Sequence, residues 1–393
     1  MKRIDKYREF FYFNVYFVSA MKSFLLRWLT LGVITLHVTG CVSGNSGSEN
    51  DAESLPVIES IRLIFAGDVM GHGTQIKGAW RDGGDSCYNF IPNFQWVKDY
   101  ISSADIAVAN LEVTLAGEPY TGYPLFSTPN SLAVALKDAG FDILVTANNH
   151  ILDRGTKGLE RTIDVLDSLG IINAGTFKDS LRRETDYPLI VEKKGLRLAF
   201  LNYTYGTNMP STKSPIIVNY IDTLQMAEDL TKARDMEADY IITLLHWGEE
   251  YQNKEGQTQR QLADFLARHG CNLIVGAHPH VVQPIEKIAG NSNDSALVAY
   301  SLGNFVSNQR WRYSDGGIMF DVTLNKTGDI VSLDSYSYEP FWVRRYPEDG
   351  VHVYRLIPII DYLSNPECYP AMSAWEEKEL LQFYNDTREI IRF

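Results

Sequence analysis

From Ile61 onward the chain alternates short β-branched or apolar runs with amphipathic stretches. The runs IRLIFAG (61–67), DIAVAN (105–110), DILVTA (142–147), LRLAFLNY (196–203), YIITLLHW (240–247), NLIVGA (272–277) and ALVAYSL (296–302) have the length and residue types of buried strands. Between them, LAVALKDAG, KGLERTIDVLDSLG and QTQRQLADFLARHG fit helices, each ending on a glycine suited to a left-handed cap: Gly140, Gly170 and Gly270. Helices that lead repeatedly into strands predict an α/β layered domain. Beyond Asp315 the pattern changes to alternation about LNKTGD, which predicts a hairpin and an antiparallel portion. From Ser373 the run SAWE forms a capping box and predicts a terminal helix.

The N-terminal region follows a different pattern. From Met21 come Lys22 and Arg27, then the apolar run Trp28 to Leu36, then Val38-Thr39-Gly40-Cys41. This is a signal-peptide pattern, and its apolar core is shorter than the roughly 20 residues of a membrane span. The run VTGC resembles a bacterial lipobox, which implies cleavage before Cys41 and lipidation of its thiol; a plain signal anchor is the alternative. Residues 1–20 precede the pattern and leave both Met1 and Met21 as possible starts. Residues 42–55 are rich in Ser, Gly, Asn and acids, as in a flexible tether. The expected organisation is therefore a signal region with lipobox at 1–41, a tether at 42–59, one main domain at 60–345 and a helical extension at 346–393. The expected location is the cell envelope, lipid-anchored to a membrane and facing periplasm or exterior.

Composition narrows the function classes. In 393 residues, 45% are apolar and 22% charged, a balance that supports a large buried core. Acidic side chains number 49 against 36 basic ones, and the net charge of −13 repels a nucleic-acid backbone. It does not exclude an anionic substrate, because bound cations dominate the field of a site that holds them. Besides Cys41, the cysteines are Cys87, Cys271 and Cys368, too dispersed for a disulfide framework, although an oxidising compartment would allow a Cys87 to Cys368 bridge. Cys271 reads as core packing.

The chemistry gathers where strands end: Gly67-Asp68, Asn110-Leu111-Glu112, Asn148-Asn149-His150, His246-Trp247-Gly248-Glu249 and His278-Pro279-His280. Ligand sites in open α/β sheets form at the carboxyl ends of strands. Of eight histidines, five (His72, His150, His246, His278, His280) lie in or just after such clusters. Each cluster has an ordinary structural alternative, such as a turn-forming Asp68, an exposed Glu112 or a core His246. Five such alternatives at five strand ends are a weaker account than one shared site. If strand geometry persists through Pro279, His278 and His280 point to one side and reach one cation or two neighbouring ones. Imidazoles mixed with carboxylates and amide oxygens suit a transition metal. His269, at a helix end, and His352, near the tail, read as structural.

The ordered set GDVM (67–70), NLE (110–112), ANNHILDRG (147–155), HWGEEY (246–251), GAHPHVVQP (276–284) and YSLGNF (300–305) resembles the bacterial poly-gamma-glutamate capsule synthesis family, CapA, over roughly residues 60–320. That family is similar to the calcineurin-like metallophosphatases. The resemblance implies a metallophosphatase-like β-sandwich flanked by helices, with Asp68 and His280 on one metal, Asn149, His246 and His278 on the other, and Glu112 bridging them. It implies His150 as general acid, oriented by Asp153, two divalent ions (Mn, Zn or Fe), and hydrolysis of a phosphoester or an anionic envelope polymer by water activated at the cations. Metallophosphatases carry a histidine where this chain has Met70, and His72 is the candidate replacement. A non-catalytic accessory lipoprotein that binds polymer during capsule export is the alternative.

Overall fold

The computed structural model describes residues 58–210, 215–291 and 295–391. The signal pattern, Cys41 and most of the tether lie outside the described residues. The strands in chain order are β1 (Ile58–Val69), β2 (Ile106–Leu111), β3 (Ile143–Val145), β4 (Ile172–Ala174), β5 (Thr176–Phe177), β6 (Leu189–Lys193), β7 (Leu196–Thr204), β8 (Ile217–Val218), β9 (Tyr240–His246), β10 (Leu273–Ala277), β11 (Ile285–Ala289), β12 (Ser295–Ala299), β13 (Asn304–Val306), β14 (Gly316–Thr327), β15 (Ile330–Glu348) and β16 (Val351–Pro358). One sheet runs β16-β15-β14-β1-β2-β3-β4, with β13 beside the end of β1. The other runs β11-β12-β10-β9-β7-β6.

The two-residue period of each strand sorts its side chains between layers. Ile61, Leu63 and Phe65 of β1 join Leu198 and Phe200 of β7, Ile242 of β9 and Val275 of β10 in one apolar core between the sheets. The alternate residues Ile64 and Ala66, with Ala107 and Ala109 of β2, face Leu132 and Leu136 of the helix Ser131–Ala139. On the far side, Leu201, Ile241 and Ile274 face Leu230 of the helix Thr223–Asp235 and Leu266 of the helix Gln257–Arg268. The result is helix, sheet, sheet, helix, the sandwich that the resemblance implied. Within each sheet the central strands are parallel, β1-β2-β3-β4 and β7-β9-β10-β12, so their carboxyl ends share one edge.

Most predicted elements are present. The three helices end with Gly140, Gly170 and Gly270 at φ of 106°, 63° and 87°. The hairpin about LNKTGD joins β14 to β15, and Ser373 with Glu376 forms the capping box of the helix Ala374–Ile390. Cys271 is buried, while Cys87 and Cys368 are exposed and form no bridge among the described residues.

Two expectations need correction. The run 296–302 is not one strand, because β12 stops at Ala299 and the chain crosses to the other sheet as β13. At the crossing the Asp68 amide donates to the Gly303 carbonyl at 3.0 Å, and a Cβ on Gly67 would lie 1.9 Å from that oxygen. Only glycine permits the approach. The second correction concerns 346–393, expected as a helical extension. β15 continues to Glu348 and β16 pairs with it from Val351 to Pro358. Asp349 and Gly350 (φ 49° and 80°) form the tight turn between them. Tyr354 and Leu356 are buried against the helical layer, and Leu380 and Phe383 of the terminal helix join the inter-sheet core.

A chain ending at residue 345 is therefore expected to lose the cooperative unfolding transition of the full domain, because removal of β16 uncovers Phe341 and Val343. A circular-dichroism melt checks this, and an unchanged melting transition would restore the helical-extension boundary.

Candidate metal centre

The shared edge of parallel strand ends brings both sheets to one place. Asp68 closes β1 opposite Asn110 of β2 and Asn304 of β13, and Glu112 follows β2. From the other sheet, His246 closes β9 beside Ala277, the last residue of β10, and His278 and His280 follow immediately. Asn149, His150 and Asp153 come from the turn after β3. All eight predicted residues, Asp68, Glu112, Asn149, His150, Asp153, His246, His278 and His280, are buried, none more than 4% exposed.

The hydrogen bonds show what each polar group is doing. Asp68 accepts from Asn110 Nδ2 (2.8 Å) and the His278 amide (3.2 Å), and its Oδ2 lies 3.0 Å from His280 Nδ1. Asn149 Oδ1 lies 3.0 Å from His246 Nε2. Glu112 Oε1 is 3.5 Å from His246 Nε2 and 3.9 Å from His280 Nε2. Among the described residues neither oxygen of Glu112 has a hydrogen-bond partner, and neither has His278 Nδ1. A carboxylate sealed from water without donors is costly. These orphaned atoms face one another, and their ligand-grade chemistry fits divalent cations.

Two clusters of ligand atoms are close enough for an ion each: Glu112, His278 and His280, and Asp68, Glu112 and His246. Glu112 belongs to both, as a bridging ligand would. Direct contacts set His280 beside Asp68 and His246 beside Asn149, each at 3.0 Å. Pairing with Asp68 through Nδ1 leaves His280 Nε2 3.9 Å from Glu112 Oε1.

The electrostatics match a cation site. Burial and the nearby Asp68 charge push the Glu112 carboxyl well above its usual range. Burial acts the same way on Asp68, but the hydrogen bond and charge of His280 and the Asn110 amide outweigh it and hold Asp68 ionised. Burial, reinforced by the neighbouring imidazoles, drives His246 well below the ordinary value and His278 down to about 3. Both are neutral ligands at physiological pH.

The structure corrects the route by which the GAHPH histidines converge. β10 ends at Ala277, and His278 and His280 have φ of 98° and 59°, so both sit in the left-handed region. Each such residue costs about 1–3 kcal/mol, strain held by the surrounding fold. The turn aims the His278 amide at Asp68, which an extended strand would not do. His72 does not fill the place of Met70. Its Nδ1 lies 3.1 Å from Gln75 Oε1 and 3.3 Å from the Asn308 amide, and it joins neither ligand cluster among the described residues. Met70 is buried, with Ser307 Oγ at 3.7 Å from its sulfur.

His150 stands beside the cluster. Its Nδ1 is 2.7 Å from Asp153 Oδ2, which also accepts from the Phe126 amide at 2.8 Å, and the Phe126 ring packs edge-on against the imidazole. Sequence reading missed several contributors. Asn110 ties Asp68 to His246 Nδ1 (3.2 Å), stitching one sheet to the other. Tyr205 lays its half-exposed ring 4.6 Å from that of His278. Asn208, held by its amide on the Asn149 carbonyl, places Nδ2 3.3 and 3.4 Å from the two nitrogens of His150. The last two follow β7, and their position after a strand end was the available signal.

Residues 62–309 match the family model described as bacterial capsule synthesis protein PGA_cap. The PGA biosynthesis protein CapA of Bacillus subtilis (strain 168) is 28% identical over 293 residues, covering 72% of this chain and 73% of that protein. The capsule biosynthesis protein CapA of Bacillus anthracis is 29% identical over 300 residues, 72% of this chain and 69% of its own length. Among solved structures, the calcineurin-like phosphoesterase YfkN from Bacillus subtilis aligns at a TM-score of 0.46 and 13% identity, covering 85% of this chain and 99% of that one. A 5'-nucleotidase precursor from Thermus thermophilus aligns at 0.46 and 14% identity over 84% of this chain, which spans only 59% of that longer protein.

One consequence is open to a direct stability measurement. Glu112 has a raised folded-state pKa, so its protonated form favours folding and that contribution is lost as pH rises above the usual carboxylate range. In chelator, Glu112→Gln is expected to melt higher than the parent at pH 8, with the gap closing toward pH 4. Added divalent metal is expected to raise the melting temperature of the parent and not of the variant. A parent equal to the variant at every pH would show that the carboxylate is not stressed.

Proposed function

The chain belongs to the bacterial capsule synthesis protein PGA_cap family, and we propose that it is a metal-dependent hydrolase acting on an anionic envelope polymer or a phosphoester during capsule synthesis, export or processing. The observation that carries this reading is the Glu112 carboxylate, buried and without a hydrogen-bond partner between histidines from the opposite sheet. Asp68, Glu112, Asn149, His246, His278 and His280 would hold the cations, with manganese, zinc and iron all compatible with the donor set. Divalent cations bound there supply Lewis acidity and make water a usable nucleophile near neutral pH.

The remaining steps belong to side chains. Asp153 engages His150 Nδ1, which fixes the ring and leaves Nε2 as the position from which a proton passes to a leaving atom. Asn208 beside both ring nitrogens steadies that orientation, and the Phe126 edge excludes water from one face. Tyr205, half-exposed over His278, lines the approach. We propose further that a lipid on Cys41 anchors the chain in the envelope and that residues 42–59 give the domain reach.

One observation favours the accessory reading, in which the domain binds polymer without turnover. Met70 stands where related phosphatases place a ligand, and His72 is committed to Gln75 and Asn308. Metal analysis joined to turnover assays separates the readings. The parent is expected to carry stoichiometric metal and to hydrolyse a generic aryl phosphoester or poly-gamma-glutamate. Glu112→Ala and His278→Ala are expected to lose metal and activity together. His150→Ala keeps its metal and falls by about 10²–10⁴ in kcat, and Asp153→Asn by about 10–100-fold. Full metal content with no turnover on either substrate would establish the accessory instead.

A further inference from the structure

Arg310 carries two buried donors that have no hydrogen-bond partner among the described residues. Arg310 follows the YSLGNF run, and its Nη1 donates to the Val343 carbonyl at 2.6 Å. Its Nε and Nη2 are shut off from solvent and have no hydrogen-bond partner among the described residues, while the Tyr354 ring lies 5.9 Å from its Cζ. Those two groups form one edge of the guanidinium, the fork that receives a carboxylate or phosphate through two parallel hydrogen bonds. The residue is anchored at one corner and presents that edge empty.

Other buried arginines of the domain show what a structural role looks like. Arg344 spends its donors on Glu376 and on the carbonyls of Pro370 and Ala371. Arg355 takes a two-point grip on Asp82. The acid that attracts Arg310, Asp315, uses its carboxylate on Trp342 Nε1 at 2.7 Å instead. A second cation presses from Arg345, whose Nη1 is fixed 3.1 Å from Asn308 Oδ1. Burial and that like charge together push Arg310 down to about 10, outweighing the attraction of Asp315.

Its place in the fold is next to the predicted chemistry. The Asn308 amide lies 3.3 Å from His72 Nδ1, and the His72 ring meets Phe126, the same ring that packs on His150. On the other side, Gln309 Nε2 donates to the Tyr251 hydroxyl at 3.3 Å, and the Tyr251 ring lies 6.0 Å from that of His280. The segment 307–310 thus spans from the His150 side of the centre to the His280 side.

We propose that Arg310, assisted by Arg345, forms an oxyanion subsite that grips a carboxylate or phosphate of the substrate away from the bond being cleaved. An arriving oxyanion meets two donors already freed from water, where a bidentate pair is strongest. The subsite rests on the reading of the centre as a substrate-processing site, and it explains how a chain of net charge −13 retains an anionic substrate.

The test uses the metal-loaded protein and isothermal titration of two probes, inorganic phosphate and γ-linked triglutamate. Arg310→Met is expected to weaken binding of at least one probe by about tenfold or more, at unchanged metal content. Arg310→Lys should regain only part of it, because an ammonium lacks the fork. Arg345→Met should show a smaller loss of the same sign. The probe that suffers more identifies the anion as phosphate or polymer carboxylate. If Arg310→Met does not fold, the lysine variant carries the test. Parental affinity for both probes in every folded variant, or metal loss in step with anion loss, overturns the subsite. Arg310-dependent binding in a parent without turnover would preserve the subsite while removing the hydrolase reading.

Discussion

The structure turns on a buried carboxyl that no donor among the described residues satisfies. Glu112 sits at the strand-end edge of the sandwich, fully buried, with neither oxygen accepting a hydrogen bond. Its surroundings are arranged around that lack: His246 and His278 are driven neutral, and Asp68 is held ionised by His280 and Asn110. An unpaired buried charge typically costs several kcal/mol, and this cost drives the Glu112 carboxyl toward its protonated form in the absence of a cation. Ligand readiness and local instability are here the same property.

The stress is tolerable because the ligands come from two separately stabilised sheets. Asp68 and Glu112 hang from β1 and β2, and His246, His278 and His280 from β9 and β10. Asn110 bridges them, and the close approach of Gly67 to Gly303 sets how deeply β13 tucks against β1. The left-handed turn at His278 and His280 adds strain that the same packing absorbs. The geometry of the cluster is therefore a property of sheet-on-sheet register, and small shifts in the core between Phe65, Phe200 and Val275 would be felt at Glu112 and the histidines around it.

Much of this was legible in the chain because burial imposes periods that sequence carries openly. The longer buried strands between 61 and 299, the three glycine-stopped helices and the strand-end clusters were readable, whereas short strands such as β4, β5, β8 and β11 were not, and the structure brings Asp68, Glu112, Asn149, His246, His278 and His280 together. What escaped depended on three-dimensional neighbours. β16 escaped because the expected domain boundary at 345 fell inside β15, before the turn at Asp349 and Gly350 that leads into β16. The convergence of His278 and His280 looked extended because left-handed backbone at histidine has no sequence signature comparable to glycine's. Asn110 was one polar residue of a motif until His246 appeared beside it, and the grouping of the histidines on Glu112 required coordinates.

The placement of β1 has a consequence for how the chain is made. β1 lies in the interior of its sheet, but its antiparallel partner is β14, with Ile61 opposite Leu324. Synthesised from the N-terminus, the strand that carries Asp68 waits through the whole second sheet with one row of amides and carbonyls bare. Such long-range closure is slow, and an open apolar strand edge invites pairing with other copies. Folding of this domain thus runs against the order of translation: the last third completes the first strand, and the yield of native protein depends on what shields β1 in the interval.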